Sequence, residues 1–89
     1  MVVTEVSELL GKLKHDAKLG LCPRYYFAKD GYVNLDDVLT VSHRTGCIYA
    51  TIGGVYIEKE EILESYLSSL VAKGYQIVSL HDLRGYSFG

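Results

Sequence analysis

Apolar positions recur most regularly over residues 58–80. Ile62, Leu63, Tyr66, Leu67, Leu70 and Val71 fall at i, i+3/i+4 and i+7/i+8, which is one stripe of a helix at roughly 100° per residue. Glu58, Glu60 and Glu61 crowd its start, where the positive end of the helix dipole favours anions. Lys73 and Gly74 close it, a cation in the last turn followed by the residue that takes up a left-handed cap most cheaply. The pattern predicts a helix over 58–73, and Tyr75-Gln76-Ile77-Val78-Ser79-Leu80 predicts a strand straight after it. A second stripe, Val6, Leu9, Leu10, Leu13 and Ala17, predicts an N-terminal helix capped by Thr4 and stopped at Gly20. Gly11 weakens that helix by about 1 kcal/mol relative to Ala.

Between the helices the period changes to two. Arg24-Tyr25-Tyr26-Phe27-Ala28 reads as a strand, Lys29-Asp30-Gly31 as a tight turn and Tyr32-Val33 as the start of the return. Ile48, Ala50 and Ile52 alternate with Cys47, Tyr49 and Thr51, so a further strand has one apolar face. Gly53-Gly54 marks a bulge or a hairpin turn, with Val55-Tyr56-Ile57 as its return. Residues 35–43 admit two readings. Asn34 as a cap, with Asp36 and Asp37 behind it, suits a short helix, whereas Val38-Leu39-Thr40-Val41 suits a strand, which the β-formers favour. The tail reads as a turn and a last short strand.

The 89 residues are expected to form a single domain over 1–89. The expected fold class is α+β, a small single domain with two helices packed on one face of a mainly antiparallel sheet. A third short helix at 35–43 gives the alternative, a winged-helix-like fold. A chain of this length buries only about 60–65% of the surface its unfolded form exposes, so further burial by dimerisation is expected. The net charge is −2, and no apolar run reaches bilayer length. Residues 1–5 carry no basic region with an apolar block, so the expected location is cytoplasmic. Cys22 and Cys47 are too few for a disulfide scaffold.

Eight tyrosines and no tryptophan stand out. Tyrosine joins an apolar body to a polar tip and suits half-buried and interface positions. Tyr25, Tyr26, Tyr49 and Tyr56 are therefore the candidate interaction surface.

Other chemistry is thinner. His15, Cys22, His43, Cys47 and His81 are the ligand-type residues, but only His43 and Cys47 are close in sequence, so no metal and no cofactor are expected. Cys47 and His43 with Asp36 or Asp37 compose a nucleophile, base and carboxylate on paper alone. Gly53-Gly54 precedes a helix, yet three carboxylates there would repel phosphate. Arg24, Lys29, Arg44 and Arg84 are candidate nucleic-acid contacts, and His81 with Arg84 would form the wing of a winged helix. Against this, the outer face of the 58–73 helix carries Glu58, Glu61 and Glu64, which opposes a phosphate surface.

Leu13-Lys14-His15, Leu19-Gly20-Leu21 and Asp30-Gly31-Tyr32-Val33-Asn34-Leu35-Asp36-Asp37-Val38-Leu39 resemble, in cadence, the opening of the tRNA 2′-phosphotransferase family. Lys14 stands where that family has arginine, and 89 residues fall short of a complete NAD-binding catalytic domain. The resemblance implies no activity and favours the helical reading of 35–43. The function expected is a small non-enzymatic interaction or regulatory protein, self-associating or binding another protein through a tyrosine-rich sheet surface. The alternative is a winged-helix-like nucleic-acid binder.

Overall fold

The computed structural model describes residues 2–3 and 5–88. Helix α1 spans Val6–Lys18 and α2 spans Glu60–Ala72. Strands are β1 (Val2–Val3), β2 (Tyr25–Lys29), β3 (Tyr32–Val41), β4 (Ile48–Ile52), β5 (Val55–Ile57), β6 (Gln76–Ser79) and β7 (Ser87–Phe88), with a 3-10 helix over Leu80–Gly85. Thr4, the expected cap of α1, lies outside the described residues. Both helices stop as their glycines require. Gly74, at φ +96°, donates its N–H to Val71 O, and Tyr75 donates to Leu70 O, the paired bonds that satisfy the last carbonyls of α2. Gly20 and Leu21 repeat the arrangement on Ala17 O and Asp16 O at the end of α1.

Six strands form an antiparallel sheet in the order β1-β6-β2-β3-β4-β5, and β7 runs parallel to the start of β3. The short edge strand β1 pairs with β6, an element the sequence pattern does not announce. The turn between β4 and β5 has positive φ at both Gly53 (+57°) and Gly54 (+81°), the two-residue geometry whose twist matches a hairpin. Asp30-Gly31 makes the same turn between β2 and β3.

Residues 35–41 are strand, so the helical alternative and the winged-helix-like fold built on it are set aside. The local signals behind the helix are used differently. Tyr26 pairs with Val38 and Ala28 with Val33, so Phe27 alone on β2 stands against residues 34–37 of β3, which bulge out. Within that bulge Asn34 Oδ1 accepts the Asp36 N–H at 3.0 Å. Asparagine thus serves a backbone donor here as it would at a helix cap, but the donor belongs to a bulge. The apolar run Val38–Val41 then pairs with β4 and is held as strand by two neighbours.

Helices α1 and α2 pack against each other on one face of the sheet, and that face holds the main core. Val6, Leu9, Leu10 and Leu13 of α1 and Leu63, Leu67 and Leu70 of α2 meet Tyr25, Phe27, Leu39, Val41, Ala50, Ile57 and Ile77. The stripe of α2 is narrower than its periodicity predicts. Ile62 and Tyr66 stay exposed at 54% and 36%, because the flank they occupy meets neither the sheet nor α1. On the opposite face the 3-10 helix folds back and places Leu83 against Tyr26, Ala28, Val33 and Val78. Residues 81–85 therefore cover the sheet and do not project as a wing.

Candidate interaction surface

The hairpin β4–β5 ends the sheet, and its side away from the helices is open. Alternation on a strand sends Ala50 and Ile57 into the helix-side core, and sends Tyr49, Thr51 and Tyr56 the other way. Thr51 faces Tyr56 directly in the register, and Tyr49 reaches Tyr56 on the diagonal. The two rings stack with centroids 5.2 Å apart and planes 28° from parallel. Tyr56 Oη donates to Glu58 Oε2 at 2.9 Å. That hydrogen bond, made to the neutral phenol, holds the Tyr56 pKa above its ordinary value of 10.0. Val55 and Tyr56 remain 54% and 57% exposed.

The four candidate tyrosines do not share this surface. Tyr25 lies in the helix-side core and Tyr26 in the core under the 3-10 helix, each nearly inaccessible. Strand β2 is central, with β6 and β3 on either side and a covered face above and below, so both of its tyrosines are spent on the core. Tyr49 and Tyr56 sit where the second face is left open. The sequence reading missed Glu58 as their partner. It lies two residues after Tyr56, a spacing that puts both on one side of an extended chain, but the helical pattern assigned it to α2, which begins at Glu60.

The candidate cations are dispersed. Arg24 precedes Tyr25, whose register partner is Leu39, and Arg44 lies in the loop beyond Val41, so these two share one end of the sheet. Lys29 pairs with Tyr32 at the other end, its ammonium 5.1 Å from the Tyr75 ring centroid. Arg84 is on the 3-10 helix of the opposite face.

The paper triad is not assembled either. His43 Nδ1 lies 3.5 Å from Cys22 Sγ, Cys47 Sγ donates to Thr45 O at 3.9 Å, and Asp37 Oδ1 accepts from Gly53. Asp36 takes part through its backbone N–H. Both cysteines are free thiols. Among the described residues no three or more His, Cys, Asp and Glu side chains gather as a metal site. A cleft of about 270 Å³ is lined by Lys14, Cys47, Ile48, Glu58, Glu60 and Leu63, and its Lys14 ammonium is paired with Glu60.

Among the described residues no helix is long and apolar enough to cross a membrane. Compared with known proteins, the chain matches no family model, no curated protein and no solved structure. The cadence it shares with the tRNA 2′-phosphotransferase family therefore carries no assignment.

Proposed function

We propose that the chain is a non-enzymatic interaction module that self-associates edge to edge through β5. The observation that carries this reading is Tyr56. It sits on the last strand of the sheet, more than half exposed, with its ring stacked on Tyr49 and its hydroxyl tied to Glu58. An aromatic side chain already held in one rotamer gives up little entropy on binding. The outer edge of β5 also carries backbone groups that another strand can pair.

The register of a self-pairing sets no like charges opposite each other. An antiparallel pairing of two copies about Tyr56 puts Val55 opposite Ile57 and Tyr56 opposite its own copy. Glu58 then faces Gly54 and Lys59 faces Gly53, so no like charges oppose each other. Both Tyr49–Tyr56 stacks would join into one ladder across the open face. The strand is three residues long, so the association is weak and calls for measurement up to low millimolar concentration.

Sedimentation equilibrium in EDTA tests the reading. A concentration-dependent monomer–dimer equilibrium is expected, weakened by Val55→Lys, which puts a charge on the pairing edge, and by Tyr56→Ala. A monomer throughout that range, or a dimer that both variants leave unchanged, would sink it.

A further inference from the structure

A thiol and an imidazole meet at the far end of β3, away from the hairpin surface, with Cys22 packed half-buried against the edge of the helix-side core and His43 exposed. We propose that Cys22 and His43 form half of a Zn(II) site, completed by the same two residues of a second copy. Zinc–sulfur and zinc–nitrogen bonds of about 2.3 and 2.0–2.1 Å at a tetrahedral angle place the two donor atoms about 3.6 Å apart. Cys22 Sγ and His43 Nδ1 lie 3.5 Å apart in a thiol–imidazole hydrogen bond, a separation that matches one edge of such a tetrahedron. The residues are 21 apart in sequence, and two separate restraints bring them there.

Cys22 is anchored through its neighbour Pro23. The proline ring restricts Cys22 to extended conformations, and Pro23 O accepts a hydrogen bond from the buried Thr40 hydroxyl at 2.8 Å. This fastens the segment before β2 onto β3. His43 leaves β3 two residues after its end, in a loop closed by Ser42 N–H to Cys47 O and Gly46 N–H to Ser42 O, both at 2.9 Å. Both ligand-type side chains thus hang from the same strand end. Such preorganisation is what a metal site needs from its scaffold.

One copy supplies two of four positions, since no third ligand-type side chain joins the pair among the described residues. Cys22 is half-buried and His43 exposed, so the pair is open on its outer side. A second copy brings one more thiol and one more imidazole, giving a Cys₂His₂ set around one ion. On binding, each thiol releases its proton to solvent as the S–Zn bond forms, and no oxidation state changes. The two thiolates balance the charge of Zn(II).

The site is distinct from β5, which makes the two readings separable. The reduced chain is titrated with zinc chloride against a chromophoric chelator, and with cobalt(II), while sedimentation follows its mass. One zinc per two chains is expected, with the cobalt form showing thiolate-to-metal charge transfer and tetrahedral d–d bands. Cys22→Ser and His43→Gln each weaken binding by at least about tenfold, whereas Cys47→Ser binds like the parent chain. In Val55→Lys, zinc still converts monomer to dimer, so failure of edge pairing leaves this test intact. Zinc affinity unchanged in Cys22→Ser, a cobalt spectrum without thiolate, or one zinc per chain at unchanged mass each overturns the proposal.

Discussion

Asp37 Oδ1 accepts the N–H of Gly53 at 3.0 Å, tying the bulge of β3 to the turn that ends β4. The bulge displaces residues 34–37 from β2, and Asp37, next to the Val38–Thr51 pair, is left within reach of that turn. A local irregularity in one strand thereby steadies the hairpin that carries Tyr49 and Tyr56. Replacing Asp37 with Ala is expected to lower stability by about 0.5–1.5 kcal/mol, the net contribution of one hydrogen bond at a half-exposed site. Urea denaturation checks the stability. Sedimentation checks a second expectation, that the looser hairpin weakens self-association.

The two flanks of α2 should respond differently to the same truncation. Leu67 is fully buried in the helix-side core, and Leu67→Ala is expected to destabilise by about 2–5 kcal/mol. Ile62 is 54% exposed, and Ile62→Ala is expected to shift stability by less than about 1 kcal/mol. Thermal melts of both variants compare them directly. Equal losses would mean that Ile62 is covered in solution.

The turn between β4 and β5 gives a contrast in backbone conformation. Gly53→Asn keeps both the N–H given to Asp37 and a residue that tolerates positive φ, so a change within about 0.5 kcal/mol is expected. Gly54→Val forces a β-branched residue to φ +81° and is expected to destabilise by about 1–2 kcal/mol, although a Cβ there meets open space. Chemical denaturation of the pair separates strain from crowding.

Tyr56 gives an expectation in alkali. Its hydrogen bond to Glu58 raises the folded-state pKa above 10.0, so the folded chain holds that proton more tightly than the unfolded one. The resulting stabilisation is present below the unfolded value and is lost as pH rises through the raised folded value. Ultraviolet titration is expected to show that the Tyr56 phenol, identified as the absorbance step missing in Tyr56→Phe, ionises earlier in Glu58→Ala. No change in Glu58→Ala would place the cause elsewhere.

Much of the fold is legible in the sequence because its signals are short-range. The stripe over residues 6–17 marks α1, the pair Lys73-Gly74 marks the end of α2, and Gly53-Gly54 marks the hairpin. The strand reading of Val38–Val41 also rests on its β-branched residues, although Asn34 and the two aspartates pull towards a helix. Which of the candidate tyrosines are accessible was not legible. Tyrosine composition pointed to β2 and the last hairpin alike, and only the hairpin leaves its tyrosines accessible.

The sequence by itself determined where the helices, turns and most strands lie, since spacing, caps and turn residues act within a few positions. Tertiary structure alone decided what covers each face. Period-two alternation says that Tyr25 and Tyr26 point in opposite directions, but not that helices close one side and the returning 3-10 segment the other. It also decided which distant residues meet. Cys22 reaches His43, not Cys47, because the Pro23–Thr40 bond fastens the chain before β2 onto β3. And it reduced Glu58–Leu80, the most regular stretch of sequence, to a supporting element. Leu63, Leu67 and Leu70 are used up in holding the sheet, whose edge at Tyr56 stays exposed.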